Sequence, residues 1–268
     1  GTEVESTSPR QRMVLATSET RPSSLRRASG DATELLVSVR DLGEARVAVS
    51  GGVNILDFKE PSRGALAACD PRVWKSAVSV FVGEAPADRT VRLSAALGES
   101  ETGPELSSHV PPEFSFAKVG PSGCSTAQKL VGLWESIRLP QPVELVPVAY
   151  ADHIAAGAMS AEGVLNAVIQ TGRHRLLIDT FGKDGRTLTD HMSIDRLRSL
   201  LCVASEHSVW IALAGSLRLR EMRSLVNAGV RPNCWGVRGD VCDQRDRTGQ
   251  MDLRKVTAWR RAIGSPAN

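Results

Sequence analysis

The chain alternates short, continuously apolar runs with longer stretches in which apolar residues recur at helical spacing. LLVSV at residues 35–39, LLID at 176–179 and WIALA at 210–214 are of the first kind. Such runs suit strands covered on both faces, the situation in a parallel sheet flanked by helices. On this basis strands are predicted over residues 35–39, 54–59, 77–82, 115–119, 143–149, 176–179, 210–214 and 234–237. Helical patterns lie between them. Residues 160–172 (SAEGVLNAVIQTG) open on a Ser cap, place Val164, Val168 and Ile169 on one face, and reach Gly172 where a C-terminal cap is wanted. Residues 193–206 (SIDRLRSLLCVASE) repeat the arrangement with Ile194, Leu197, Leu200 and Leu201 facing inward. Residues 98–112 (GESETGPELSSHVPP), where the third helix falls, read as a loop or a shortened helix. Strands alternating with helices imply parallel βαβ units. Their number, in a chain of 268 residues, predicts a (β/α)8 TIM barrel, a fold of about 250 residues. A doubly wound open sheet is the alternative arrangement of the same units.

Residues 1–33 stand apart. They are rich in Ser, Thr and Arg, lack apolar periodicity, and are expected to form a disordered extension ahead of a single barrel domain over 34–268. Glu3, Glu5 and Glu19 speak against a transit peptide. With 33 basic and 30 acidic residues the net charge is only +3, and aromatic residues make up 4%. Neither figure suits nucleic acid as the main partner, which asks for clustered cations and stacking platforms. No apolar run approaches the roughly 18 residues needed to span a bilayer, so no membrane partner is expected. Five cysteines without a C-x-x-C pair favour neither a zinc site nor a disulfide framework, and a reducing cytoplasm is the simplest setting. A homo-oligomer is compatible with the sequence but not read from it.

Barrel enzymes carry their chemistry at the C-terminal ends of the strands, and charged residues fall there. Asp57 and Lys59 follow the second apolar run and, two apart on a strand, share a face. If that face is the barrel mouth, the two can interact, and burial would depress the lysine pKa and free a nucleophilic amine. A solvated ion pair at a strand end is the plainer reading. Lys118 closes the fourth run, either as a surface residue or as a second cation near Lys59. Asp179 ends the sixth and is followed by Lys183 in a glycine-bearing loop, which suits a general acid or base with a phosphate ligand. A capping aspartate is the alternative. Tyr150 and Asp152 after the fifth run could move protons, or Tyr150 could be a buried hydroxyl with its partner; His153 is expected to be inert. The turns Gly215-Ser216 and Arg238-Gly239 follow the seventh and eighth runs, where barrels frequently bind phosphate. Gly215 permits close backbone approach, and Arg238 can grip phosphate bidentately. Residues 240–249 are dense in charge and read as a solvated loop or a cover over the mouth.

Six motifs in order, GGVNILDFKEPSRGALAA, FAKVG, AYAD, IDTFGKDGRTLTD, ALAGSL and GVRG, closely resemble the (5-formylfuran-3-yl)methyl phosphate synthase family of methanofuran biosynthesis. The resemblance spans residues 35 to 263. It implies a (β/α)8 fold and a lyase condensing two glyceraldehyde 3-phosphate molecules into 4-(hydroxymethyl)-2-furancarboxaldehyde phosphate, with loss of one phosphate and water. It places the Schiff-base lysine on Lys59, its aspartate on Asp57, a second lysine on Lys118, and a further acid and lysine on Asp179 and Lys183. It implies no metal and no organic cofactor. Two other readings keep the same residues: a Schiff-base aldolase for a different sugar phosphate, and a barrel that binds a phosphorylated metabolite without turning it over.

Overall fold

A computed structural model describes residues 33–82 and 91–264. Eight parallel strands close into a barrel in strict sequence order, β1 pairing with both β2 and β8. The strands are β1 (Glu34–Val39), β2 (Ile55–Phe58), β3 (Arg92–Ala96), β4 (Phe116–Val119), β5 (Glu144–Tyr150), β6 (Arg175–Asp179), β7 (Trp210–Leu213) and β8 (Cys234–Val237). The closed order excludes the doubly wound sheet. The expected extension lies outside the described residues except for Thr33.

The helices surround the strands: α1 (Leu42–Ser50), α2 (Pro71–Phe81), α3 (Gly103–Ser107), α4 (Ala127–Ser136), α5 (Ala161–Gln170), α6 (Leu188–His191), α7 (Ile194–Glu206), α8 (Leu219–Asn227) and α9 (Leu253–Gly264). Several begin with side-chain caps that satisfy otherwise orphaned N–H groups: Asp41, Asp70, Thr126, Ser160 and Ser193 each accept from the first turn. The helix expected at 160–172 is α5, with Val164 and Val168 fully buried and Gly172 at φ +69° after its end. In α7, Leu197 and Leu200 face inward as expected, but Ile194, the first residue of the helix, is exposed. The third helix is indeed short.

The third strand is a correction. Residues 77–82 are not a strand but the second half of α2, and β3 lies at Arg92–Ala96. The run AVSVFV is rich in β-branched residues. Asp70 and Pro71, however, start a helix upstream, and Trp74 and Ala77 bury one stripe of it, with Val78 and Phe81 packed beside them. Amphipathic burial outweighs β propensity, a difference of at most about 1 kcal/mol per residue.

Along each strand, side chains alternate between the barrel interior and the helix layer. The lower interior holds Leu36, Ile55, Phe116, Val146, Val148, Leu177 and Ala212. The N-terminal end is closed by the Arg175 guanidinium, 4.6 Å from the Phe116 ring centre and 4.9 Å from that of Trp210. The upper interior is polar, and the candidate chemistry lies there.

Candidate active site

Strand alternation puts Asp57, Lys59, Lys118 and Asp179 on the inward face, and all four are buried. Asp57 and Lys59 do share a face, but the two do not form the ion pair. Oδ2 of Asp57 lies 2.8 Å from Nζ of Lys118. The hydroxyls of Ser38 (3.1 Å) and Ser94 (3.0 Å) donate to the same carboxylate. Register explains this: Ser38 and Ser94 are the lateral neighbours of Asp57 on β1 and β3. Lys118 comes from β4, two strands on, and reaches Asp57 across the narrow interior. Asp57 is thereby fully engaged beneath the mouth, whereas Lys59, one inward position higher, lines the cavity above it.

That cavity has a volume of about 280 Å³ and opens at the C-terminal end of the barrel. Lys59, Lys118, Asp179 and Lys183 line it together with Gly215, Ser216, Arg238 and Gly239. Eight of the residues singled out in the sequence therefore meet in one hollow, Asp57 supports it from below, and Tyr150, Asp152 and His153 do not line it.

Lys59 Nζ donates to the carbonyl of Ala65 at 3.2 Å and has no carboxylate at ion-pair distance. Its pKa is lowered to about 7. Burial is the main cause; Asp179 works against it, and Lys183 adds to it. Near neutral pH a substantial fraction of this amine is unprotonated. Lys183 folds back over the mouth, its Nζ 3.1 Å from Oδ1 of Asp179 and 3.0 Å from the hydroxyl of Thr180. Burial opposes the charge on Asp179, but Lys183, Lys59 and the Thr180 N–H outweigh it, and the carboxyl is held down at about 2. Asp179 is thus an ionised acceptor within electrostatic reach of a near-neutral amine.

The β7 turn is built for close approach. Gly215 has φ +114°, and a Cβ there would lie 2.9 Å from Cγ2 of Thr180. Ser216 follows at φ +54°, a left-handed conformation uncommon for a residue other than glycine, and is exposed to the cavity. Arg238 requires a correction of role. Its Nη1 and Nη2 donate to Glu44 at 2.6 and 3.1 Å, and its remaining bonds go to the carbonyls of Ser38 and Arg247. The fork is closed on a carboxylate and ties β8 to β1 and α1 rather than standing open to a phosphate.

Two features escaped the sequence reading, and a third decides between alternatives it left open. Residues 240–249 form part of the cavity wall through Asp240, Arg245, Asp246 and Arg247, which is the covering role rather than the solvated one. Arg247 also donates to the carbonyls of Pro61 and Gly64, pinning the β2–α2 loop across the mouth. The hydroxyl of Tyr150 donates not to Asp152 but to Glu99, at the end of β3, and Glu99 also accepts from Ser122 N–H at 3.1 Å. Burial, with Glu99 adding to it, pushes the Tyr150 phenol well above its ordinary pKa, so it is a buried donor rather than a proton carrier. Asp152 instead caps the N–H groups of Phe181 and Gly182 at 2.7 and 2.8 Å, and His153 bonds the Ala158 carbonyl. Misplacing β3 hid Glu99; no other signal marked it. Among the described residues, no cluster of His, Cys, Asp and Glu is arranged to hold a metal ion.

Fold and site together define a (β/α)8 barrel with a lysine of lowered pKa, a paired acid and glycine-bearing turns around one mouth cavity. Residues 35–260 match the profile of the 4-HFC-P synthase family, and the chain belongs to that family. A relative from Methanococcus maripaludis, named (5-formylfuran-3-yl)methyl phosphate synthase, is 31% identical over 82% of this chain and 96% of its own length. One of the same name from Archaeoglobus fulgidus is 27% identical over 86% and 99%. Among solved structures, the thiamine phosphate pyrophosphorylase from Pyrococcus furiosus superposes with a TM-score of 0.55 at 11% identity, covering 87% of this chain and 96% of that one. At that identity the likeness is one of fold alone. No helix among the described residues is long and apolar enough to cross a membrane.

Proposed function

We propose that this chain condenses two molecules of glyceraldehyde 3-phosphate into 4-(hydroxymethyl)-2-furancarboxaldehyde phosphate, the furan unit of methanofuran or an analogue, through a Schiff base on Lys59. The observation that carries the reading is a buried amine with its pKa lowered to about 7, lining the same cavity as Asp179 and the β7 and β8 turns. The neutral amine adds to the aldehyde carbon, and loss of water gives an iminium. The iminium draws electrons from the adjacent carbon, whose proton is then removed. Asp179, ionised and lining the cavity, is the base for that step; Asp57, sealed beneath Lys118, is not within the cavity. The resulting enamine carbon forms the new carbon–carbon bond with the second aldehyde. Elimination of phosphate, ring closure, release from Lys59 and dehydration follow, so that two C3 phosphates give one C6 phosphate, one inorganic phosphate and two waters. Lys183 can return protons to departing oxygens, and Lys118 adds positive potential beside the cavity.

The protein is incubated with glyceraldehyde 3-phosphate and borohydride, and any adduct is mapped by peptide mass spectrometry. The expected result is a reduced adduct on Lys59, absent from Lys59→Ala, with a furan product when borohydride is omitted. An adduct without furan product would favour an aldolase for another sugar phosphate. No adduct on any lysine, in protein that still binds phosphate, would leave a barrel that binds without turnover.

A further inference from the structure

Two phosphorylated substrates need two places for their phosphates, and most cations of the mouth are already engaged. Lys118 is closed on Asp57, Lys183 on Asp179, and Arg238 on Glu44. Beside the mouth, at the start of α8, lies a groove of about 370 Å³ lined by only six residues, four of them arginines: Arg218, Arg220, Arg223 and Arg245, with Leu219 and Asp240. All four arginines are exposed. Among the described residues, the guanidiniums of Arg218, Arg220 and Arg223 have no hydrogen-bond or ion-pair partner. Several other surface arginines meet acids, as in Arg72–Asp70, Arg186–Asp184 and Arg196–Glu162, and the unpaired Arg46, Arg63 and Arg254 stand at separate places on the surface rather than in this groove.

The one acid in the groove does not neutralise it. Oδ2 of Asp240 accepts from the Leu219 N–H at 2.9 Å and from Trp259 Nε1 at 2.8 Å. Its other oxygen lies 3.6 Å from Arg245. Arg218 itself occupies the N-cap of α8, with no side-chain cap, where the helix dipole disfavours a cation. An anion bound among these groups would relieve both the mutual repulsion and the dipole conflict, and the planar guanidinium fork matches phosphate oxygens. The groove is continuous with the reaction cavity, because Arg218, Asp240 and Arg245 line both.

We propose that Arg218, Arg220, Arg223 and Arg245 form a second anion subsite that takes the phosphate of the second phosphorylated aldehyde while the first is held at Lys59. The assignment of that ligand rests on the condensation proposed above; the anion site itself does not. The test compares wild type with Arg220→Gln/Arg223→Gln, two exposed positions whose change should leave the circular dichroism and Tm unaltered. Calorimetric titration with inorganic phosphate should show two classes of site in wild type and one in the double variant. KM for glyceraldehyde 3-phosphate should rise about tenfold, as expected for lost charge-assisted contacts, with kcat changing far less, while borohydride trapping at Lys59 persists. Unchanged phosphate stoichiometry and unchanged KM would overturn the proposal. If wild type forms no adduct yet the variant loses a phosphate, the subsite stands and the condensation falls. Lost phosphate with an unaltered KM would mean the subsite binds free anion and not the second substrate.

Discussion

Nζ of Lys118 lies 2.8 Å from Oδ2 of Asp57 in an interior where both side chains are almost wholly hidden. The pair accounts for the state of a third residue. With its carboxylate committed to Lys118 and two serine hydroxyls, Asp57 does not pair with Lys59, its own neighbour on the inward face of the β2 end. The Lys59 amine is left with one carbonyl, and burial then draws its pKa down to about 7.

The first prediction concerns pH. An ordinary lysine titrates at 10.5, so its reactivity would climb tenfold per pH unit throughout the neutral range. For Lys59 the rate of borohydride-trappable adduct formation should rise with pH up to about 7 and level off above it. A rate still climbing steeply between pH 8 and 10 would show that the buried amine is protonated as usual.

Breaking the Asp57–Lys118 pair leaves a buried charge alone, a loss of about 3–5 kcal/mol when one partner is removed. Asp57→Asn and Lys118→Met should each lower Tm sharply, and the combined variant should recover part of the loss, giving a favourable coupling in a double-mutant cycle. Lys118→Met should also raise the trapping midpoint, because the Lys118 cation helps to lower the Lys59 pKa and its loss leaves Asp57 uncompensated. Strictly additive effects on Tm would contradict the pairing.

Asp179 is the largest influence raising the Lys59 pKa. In Asp179→Asn the trapping midpoint should move to lower pH while condensation slows by about 10²–10⁴-fold, the usual contribution of a positioned base. The acid limb of stability provides a second readout. The folded carboxyl titrates near 2 and the unfolded one near 3.8, so its stabilisation is complete above about pH 4 and lost as pH falls toward 2. The variant should lose less stability over that interval than wild type does.

Gly215→Ala places a methyl group 2.9 Å from Thr180 Cγ2 at a φ of +114°. Backbone strain of this kind costs about 1–3 kcal/mol. The expected outcome is a fall in Tm with a raised KM for phosphorylated substrate, since Gly215 and Ser216 line the cavity. An unaltered KM would remove this turn from the phosphate-binding surface.

The eight-unit alternation, most strand positions and eight residues of the cavity lining were legible along the chain, because strand period and the helix–strand repeat act locally. A period of two places Asp57 and Lys59 inward without knowledge of any partner. What sequence could not decide is which inward groups meet across the interior. Lys118 rather than Lys59 takes Asp57, Glu44 takes Arg238, and Glu99 takes Tyr150. These pairings depend on strand stagger and on which cation reaches a carboxylate at the lowest desolvation cost, quantities set by the closed barrel. The misplaced third strand shows the same limit: AVSVFV has a strand's composition, but burial of Trp74 and Ala77 makes it a helix, and RLSAA becomes β3 because the ladder between β2 and β4 must be filled. Local pattern determined the class of fold and which charged groups stand at the strand ends. Tertiary packing alone decided their charge states, because a pKa is set by every neighbour that burial brings within reach.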